Sequence, residues 1–447
     1  MSERAPRAWA TSYRASRVLP VSAPPIRDGA VVVEDGRIVW VGRAGDEPSL
    51  SGKRVVELGR AVLAPGLVNA HTHLDLTVMS GLLDGLPFFE WIRAVVACRD
   101  ALTPDELLDS ARAGIISGLE AGVTTYADTA PVAAPFDAML ELGVRGIAYQ
   151  EVFGPDPAEA SAASGALDKR VALLCQRESR LVRVGVSPHA PYSVSDELFV
   201  AVAALARRKR LPIATHVAES DAESTFIVRG AGPFAEFLRG RGIGVAVRAD
   251  SPVALLERLG VLGADVLLVH CVTCDDRDVA AVARGGAGVA TCPRSNSYFA
   301  HGRAPVAAFR RAGVAVGVGS DSMASNVSMD PLLEAAAALA GDAGSTAADR
   351  WNLATLGGAR ALGLDATIGT LEAGKDADMV AFPLGAAVDD AAAYPDLPPS
   401  ARASLVLVAG VERVRDGRVV GDTGAVAARA AAAALRLRKW RTRAASA

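Results

Sequence analysis

The sequence is poor in cysteine and contains no long apolar segment. Its five cysteines are an odd number in 447 residues and fit reduced thiols better than a disulfide framework. No run of about eighteen apolar residues occurs, so no helix is expected to span a membrane. Residues 1–20 hold no continuous apolar stretch, which speaks against a secretory signal. Together these absences predict a cytoplasmic protein.

An excess of charge of one sign is also missing. The 47 basic and 50 acidic residues nearly cancel to a net charge of −3, and no basic stripe marks the body of the chain. Nucleic acid is therefore a poor candidate partner, and a small molecule is the expected one. The basic cluster within 436–447 is expected to be a solvated face. Because the Cys271–Cys274 pair stands alone, we expect it to pack and not to bind zinc. Assembly into a homo-oligomer stays open.

Two β-rich segments flank the chain. Residues 16–64 contain short strand-like runs with a hairpin turn at Asp35-Gly36, and a matching pattern returns at 376–420. The two segments predict one small β-sandwich assembled from both chain ends. We expect it to comprise residues 1–64 and 365–423, followed by a helical tail at 424–447.

Residues 65–364 alternate between apolar strand-like runs and Ala/Leu-rich helical runs, which predicts an α/β domain built as a TIM (β/α)8 barrel. Apolar strands are what burial on both faces of a parallel sheet requires. The eight predicted strands cover residues 66–70, 123–128, 145–152, 182–187, 212–216, 265–270, 288–292 and 314–320.

The chain has only six histidines, and five of them lie at or just after the C-terminal end of a predicted barrel strand. Active sites of such barrels are built at that end. The five are His71, His73, His189, His216 and His270. The sixth, His301, matches no ligand pattern and is expected in a loop.

A metal site follows from this placement. His71 and His73 are two residues apart in an extended segment, so their imidazoles point the same way. His216 after strand 5 and Asp321 after strand 8 can reach the same axis. Three imidazoles and one carboxylate suit zinc or iron(II) and leave room for water.

Six short motifs resemble the amidohydrolase superfamily, over about residues 20–425. Within it, they are most similar to the branch that contains adenosine-type and S-adenosylhomocysteine deaminases, chlorohydrolases and aminodeoxyfutalosine deaminases. The motifs are PGLVNAHTHLD (65–75), SPHAPYS (187–193), HVAE (216–219), VHC (269–271), TCPRSN (291–296) and VGSDS (318–322).

The resemblance implies roles for individual residues. It implies one divalent metal ion, zinc first and iron(II) second, and the implied ligands are His71, His73, His216 and Asp321. Two-metal members of the superfamily carry a bridging modified lysine after strand 4, where this chain has Pro188 and His189, so a single metal is expected.

The implied catalytic residues are Glu219 as proton shuttle, His270 as partner of the hydrolytic water, and Asp321 as acceptor of a proton from that water. Aromatic deamination needs a carboxyl group near this water, because a purine ring resists attack until a ring nitrogen is protonated. The alternative for Glu219 is an ordinary acid in the first turn of a helix.

Three residues are candidates for substrate binding. The resemblance implies His189 as a substrate contact and Glu90 as acceptor for ribose hydroxyls, although Glu90 also suits a helix N-terminus. Arg294 is the candidate partner for a substrate carboxylate, with Arg303 second, and a structural arginine is the equal alternative. We expect the aromatic cluster of Phe88, Phe89 and Trp91 to serve in packing, and the alternative is that it covers the mouth of the pocket.

The leading functional interpretation is hydrolytic deamination of an adenine-containing nucleoside. Several segments most resemble aminodeoxyfutalosine deaminase, an enzyme of an alternative route of menaquinone biosynthesis whose substrate carries a benzoate. The nearest alternative is an S-adenosylhomocysteine or methylthioadenosine deaminase, followed by a chlorohydrolase or guanine-type deaminase. A catalytically silent barrel that serves as a binding scaffold is the alternative from a different class.

Overall fold

The computed structural model describes residues 10–385, 393–399 and 401–445. Residues 1–9 of the segment considered as a secretory signal, and the last two residues of the predicted tail, lie outside this part. Within the described part, no helix is both long and apolar enough to cross a lipid bilayer. All five cysteines are free thiols.

Both chain ends contribute to one nine-stranded sheet, numbered here in chain order. Its N-terminal strands are β1 (Thr11–Val18), β2 (Ile26–Glu34), β3 (Arg37–Arg43), β4 (Arg54–Glu57) and β5 (Ala61–Pro65). Its C-terminal strands are β14 (Met379–Pro383), β15 (Leu405–Val408), β16 (Val411–Arg415) and β17 (Arg418–Val419). The junction is the antiparallel pair of β5 with β14.

The predicted hairpin turn at Asp35-Gly36 joins β2 to β3. Both residues have positive φ, of 51° and 76°, as a two-residue hairpin turn of this type requires. The apolar side chains of this sheet form a separate small core that includes Val31, Leu63 and Met379.

The second sheet has eight parallel strands in consecutive order. They are β6 (Leu67–Thr72), β7 (Val123–Ala130), β8 (Arg145–Val152), β9 (Val182–Pro188), β10 (Ile213–Val217), β11 (Val266–His270), β12 (Gly288–Thr291) and β13 (Val316–Val318). A bridge from Thr72 to Asp321 joins the two ends of the sheet. Each strand overlaps its predicted counterpart, and the TIM barrel with a small β domain from both chain ends is confirmed. The predicted division at residues 64, 364 and 423 stays a prediction.

Helices surround the barrel. They are α1 (Phe88–Asp100), α2 (Pro104–Glu120), α3 (Ala134–Leu142), α4 (Ala160–Cys175), α5 (Asp196–Lys209), α6 (Asp221–Arg229), α7 (Pro233–Gly240), α8 (Pro252–Arg258), α9 (Asp276–Gly285), α10 (Pro293–Tyr298), α11 (Val306–Arg311), α12 (Pro331–Ala338), α13 (Ala347–Asn352), α14 (Gly358–Ala361) and α15 (Thr423–Ala445). Local sequence sets several helix starts: Thr103 and Glu106 form a reciprocal capping box at α2. The largest core lies between strands and helices and includes Phe136, Phe199 and Trp351.

The basic cluster at the end of helix α15 is largely exposed, as expected, with Arg436, Arg438, Lys439 and Arg443 at the surface. Some cations of this helix also form ion pairs. Arg429 forms an ion pair with Asp109 of α2 at 2.8 Å, and Arg436 pairs with Glu106 of the same helix. Arg438 donates to the Ser80 carbonyl at 3.0 Å, so α15 also contacts the loop that follows the first histidine pair. The cationic charge of this helix is therefore partly used within the fold.

A buried ion pair joins the barrel to the β domain. Arg145, at the start of β8 and 4% exposed, donates from Nε to Asp378 Oδ2 at 2.7 Å and from Nη2 to Asp376 Oδ2 at 2.8 Å. Both aspartates precede β14 and are 3% exposed. The bidentate geometry and burial fix the position of the β domain against the barrel.

Substitution Arg145→Met should destabilise the protein by about 3–5 kcal/mol, because it leaves the buried carboxylate of Asp378 without its cation and Asp376 with only more exposed arginines such as Arg180 beside it. The measurement is the midpoint of denaturant unfolding. Arg284→Met is the matched control, since Arg284 forms an exposed pair with Glu257, and such a pair contributes about 0–1 kcal/mol. Equal effects of the two substitutions would contradict this account.

Candidate metal centre and active site

Three imidazoles and a carboxylate meet at the C-terminal end of the barrel. His71 lies in β6 and His73 directly after it, His216 lies in β10, and Asp321 follows β13. Strand β13 can approach β6 closely because of Gly319, where a Cβ would lie 2.6 Å from His71 Cβ. The backbone N–H of Asp321 then donates to the His71 carbonyl at 3.0 Å.

The nitrogen and oxygen atoms of this group converge on one point. His73 Nε2 lies 3.3 Å from His216 Nε2, and Asp321 Oδ1 lies 3.5 Å from His71 Nε2 and 3.6 Å from His73 Nε2. Neither ring nitrogen of His71 has a hydrogen-bond partner, although its side chain is fully buried. A buried polar atom without a partner costs about 1–3 kcal/mol. A cation at the point of convergence would satisfy it, so the donor set fits a metal ion.

The protonation states of the three imidazoles and of the carboxylate suit metal binding. Burial lowers the pKa of His71 to about 4 and the pKa of His73 and of His216 to about 3, so all three are neutral at pH 7. His216 Nδ1 donates to the His189 carbonyl at 2.9 Å, which leaves a lone pair on Nε2. Burial opposes ionisation of Asp321, but the adjacent His71 ring, 3.5 Å away, and the neighbouring imidazoles hold its pKa well below the usual value.

The outer contacts orient these ligands. Ser295 donates from Oγ to Asp321 Oδ2 at 2.6 Å, which leaves Oδ1 facing the imidazoles. Asp321 and His270 have φ values of +58° and +71°, a region that residues other than glycine rarely adopt. Backbone strain of this kind is retained where the side-chain direction matters.

His270 and Glu219 form a second group beside the imidazoles. The amide oxygen of Asn296 accepts a hydrogen bond from His270 Nδ1 at 2.9 Å, so His270 Nε2 presents a lone pair. That atom lies 3.6 Å from Glu219 Oε1, and Tyr192 donates its hydroxyl to Glu219 Oε2 at 3.4 Å. Burial, with the nearby negative charge of Asp321, raises the pKa of Glu219 well above its usual value. This environment favours the protonated form of Glu219, which can act as a proton donor.

The loop that carries Glu219 is fixed by a second buried acid. Glu223 accepts hydrogen bonds from the backbone N–H groups of Ala218 at 3.0 Å and Glu219 at 2.8 Å. This contact closes the turn between β10 and α6, and it explains why the acid three residues after His216 points back toward the strand ends.

A cavity opens above these groups. His189 lies in its wall, held by a 2.7 Å contact from Nδ1 to Ser193 Oγ, and its ring centroid lies 4.7 Å from that of His216. The cavity is otherwise mainly aromatic, with Phe88, Trp91, Phe153, Tyr192 and Phe299 in its wall. Phe88 and Trp91 thus line the cavity, which was the alternative to plain packing, whereas Phe89 packs against Phe234 and Phe237.

Two of the predicted substrate contacts lie outside this cavity. Glu90 is exposed on α1, and the cavity face of this helix carries its neighbour Trp91 instead. Arg294 faces Glu334: its Nη1 is 3.8 Å from Glu334 Oε1, and its backbone N–H donates to Oε2. Arg303 donates to the carbonyl of Ala340, so neither arginine faces the cavity.

The sequence interpretation missed Arg99 and Glu151, which both line the cavity. Glu151 is the second-to-last residue of strand β8. The same search of strand C-terminal ends that identified the histidines would therefore have found it. Arg99 carries no such signal, because it lies on a helix whose direction is set by tertiary packing. Phe153 and Asn296 were also missed as parts of the site.

Comparison with known proteins agrees with this geometry. The model of the Amidohydrolase family matches residues 62–414. A 5-methylthioadenosine/S-adenosylhomocysteine deaminase of Moorella thermoacetica is 32% identical over 374 residues, which cover 81% of this chain and 83% of that protein. A 5′-deoxyadenosine deaminase of Methanothermobacter thermautotrophicus is 32% identical over 376 residues, 80% and 82% of the two chains.

A solved structure is also similar. The crystal structure of an adenosine deaminase from Xanthomonas campestris with bound zinc superimposes with a TM-score of 0.82 and 28% identity, covering 97% of this chain and 100% of that one.

The geometry predicts that His216→Ala abolishes metal binding, because His216 Nε2 is the donor that faces His73 across the centre. We expect about one zinc or iron(II) ion per wild-type chain by elemental analysis, and none in the variant. His301→Ala is the control: His301 lies beside Phe88 and outside the imidazole group, so its loss should leave the metal content unchanged. Two ions per wild-type chain, or an ion retained without His216, would contradict the assignment.

Proposed function

The chain belongs to the amidohydrolase family, hydrolases that act on carbon–nitrogen bonds with a divalent metal ion, and we propose that it deaminates an adenine-containing nucleoside. The observation that carries the proposal is the buried Glu219, 3.6 Å from His270 and beside the imidazole centre, in an environment that raises its pKa. Hydrolysis of an aromatic amine needs such a proton donor next to the nucleophile. The names of the relatives support the same class of substrate.

The proposed ligands are His71, His73, His216 and Asp321, and we propose one zinc ion, with iron(II) as the alternative. A divalent ion bound there supplies a water molecule that is acidic enough to act as a nucleophile at neutral pH. No lysine stands at the end of β9, where a bridging group for a second ion would be needed, since Pro188 and His189 occupy it.

The protein's own groups then move the protons. Asp321 is ionised and accepts a proton from the attacking water. His270 Nε2, fixed by Asn296, accepts a hydrogen bond from that water and directs it to the ring carbon that bears the amino group.

Glu219 completes the exchange. It donates its proton to the ring nitrogen next to the attacked carbon, so the negative charge that would develop there is neutralised. As a carboxylate, Glu219 then takes the proton of the added hydroxyl group and passes it to the amino group, which leaves as ammonia when the carbon–nitrogen bond breaks. The proton that Asp321 accepted from the water restores the acid form of Glu219. Tyr192 keeps the carboxyl in place through this cycle.

The favoured substrate within this class is aminodeoxyfutalosine, an adenine nucleoside with a benzoate at its 5′ end, which would place the enzyme in menaquinone biosynthesis. The aromatic wall of the cavity supports a 5′ substituent that contains a ring. The names of the relatives favour methylthioadenosine or S-adenosylhomocysteine instead, and these are the alternative substrates. The complete catalytic set argues against a silent scaffold, because buried charges without a function are costly.

A substrate panel tests the proposal. We expect ammonia release from aminodeoxyfutalosine with a kcat/KM about tenfold or more above that of methylthioadenosine, S-adenosylhomocysteine and adenosine, because an aromatic substituent fits the aromatic wall. Guanine and a chlorinated triazine serve as controls for the more distant alternatives and should not react. A better turnover of methylthioadenosine would change the substrate, and no turnover of any adenine nucleoside would refute the function.

Glu219→Gln should retain the metal and lower kcat by about 10²–10⁴-fold, because an amide cannot donate and regain the proton. Asp221→Asn, an exposed acid two residues along the chain, is the control and should behave like the wild type. The measurements are steady-state deamination and elemental analysis of the same preparations. Wild-type turnover in the Glu219 variant would remove this residue from the mechanism.

A further inference from the structure

The cavity contains an arginine that the proposed chemistry does not use. Arg99 lies in the last turn of α1, and its side chain lines the cavity together with Glu151, Phe153 and His189. Its Cζ atom is 5.9 Å from the centre of the Phe153 ring, which is cation–π distance. A guanidinium is thus held at the cavity wall against an aromatic face.

This guanidinium has no anionic partner. Within the described residues, no carboxylate oxygen lies within 4.0 Å of it, and its side chain makes no hydrogen bond. Two acids, Asp75 and Glu151, interact electrostatically with Arg99. Burial raises the pKa of both, and the charge of Arg99 only partly offsets this rise. The other two acids in the cavity wall are Glu219, which accepts from Tyr192, and Asp321, which accepts from Ser295. Arg99 is available to a ligand.

A second hydrogen-bond donor without a partner lies on helix α1. Trp91 is 8% exposed, lines the cavity, and its Nε1 atom has no hydrogen-bond partner. The cavity face of α1 runs from Phe88 through Trp91 and Val95 to Arg99 at helical spacing, over a length of about 16 Å. That length suits a nucleoside whose 5′ substituent is extended.

We propose that Arg99 binds a carboxylate on the 5′ substituent of the substrate and thereby sets its specificity. The inference rests on the proposed function, and it names the group that selects the substrate at that site. The planar guanidinium would hold both carboxylate oxygens, and Phe153 and Trp91 would contact the apolar part that carries them. This is the role for which the sequence had suggested Arg294, whose guanidinium instead faces Glu334.

The environment favours a carboxylate over a phosphate. Arg99 is the only lysine or arginine in the wall of this cavity in the described part of the chain. It lies near the C-terminal end of α1, where the helix dipole disfavours a dianion. A singly charged, planar anion on an aromatic or apolar linker matches one guanidinium and an aromatic wall. A simple methylthio group would leave Arg99 buried against the ligand without a partner.

The test compares two substrates in three proteins. The substrates are an adenine nucleoside with a 5′ substituent that ends in a benzoate, and 5′-methylthioadenosine. The proteins are the wild type, Arg99→Met, and Arg93→Met, a control on an exposed position of the same helix. A hydrogen bond to a charged group contributes about 1.5–3 kcal/mol. We therefore expect Arg99→Met to lower kcat/KM for the benzoate substrate about 10- to 100-fold and to change that for methylthioadenosine less than threefold.

Two further measurements separate binding from folding. The Kd of the deaminated benzoate product, by calorimetry, should rise by the same factor in Arg99→Met, and Arg99→Lys should give an intermediate value because it keeps the charge but loses the bidentate fork. Metal content and melting temperature should match the wild type. Equal losses for both substrates would overturn the proposal, since Arg99 would then only position α1.

The remaining outcomes distinguish the role of Arg99 from the deaminase function on which it depends. If the wild type deaminates methylthioadenosine better than the benzoate substrate, the role of Arg99 is wrong while the deaminase function stands. If no adenine nucleoside is deaminated, the proposed function fails, and the inference fails with it.

Discussion

The contact of His71, His73 and His216 around a shared point is the constraint on which the active centre depends. Each ring is neutral because burial lowers its pKa, and each directs a lone pair toward the others. Three lone pairs and the Asp321 carboxylate repel one another unless a cation lies between them. The fold holds them there: the absence of a side chain at Gly319 brings β13 against β6, and the His189 carbonyl fixes the His216 ring.

The sequence predicted this centre well because strand ends are local features. Once β6, β10 and β13 are recognised from their apolar runs, alternation of side chains determines that His71 and His73 face the same way, and barrel closure brings Asp321 to them. Eight strands in consecutive order leave no freedom in which ends meet. The barrel and its placement at the centre of the chain were therefore predictable without any knowledge of side-chain packing.

The sequence did not predict which face of helix α1 lines the cavity. Phe88, Phe89 and Trp91 make two sides of its first turn apolar, so the pattern does not reveal which side meets the cavity. A rotation of about 100° per residue separates Glu90, which is exposed, from Trp91, which is buried. Arg294 was misjudged for a different reason, because its orientation depends on Glu334, forty residues further along the chain.

The strand ends and helix α1 form different parts of the site. Rigid strand ends hold the atoms that we propose to act on the ring carbon, where errors of an ångström are costly. The distal end of the cavity is covered by α1, a helix inserted between β6 and α2. The relatives named for methylthioadenosine, S-adenosylhomocysteine and 5′-deoxyadenosine act on substrates that differ at the 5′ end and share the reacting ring. A change of face on α1, such as an arginine at position 99, alters that end of the cavity without moving any strand, so specificity can change while the chemistry of the centre stays fixed.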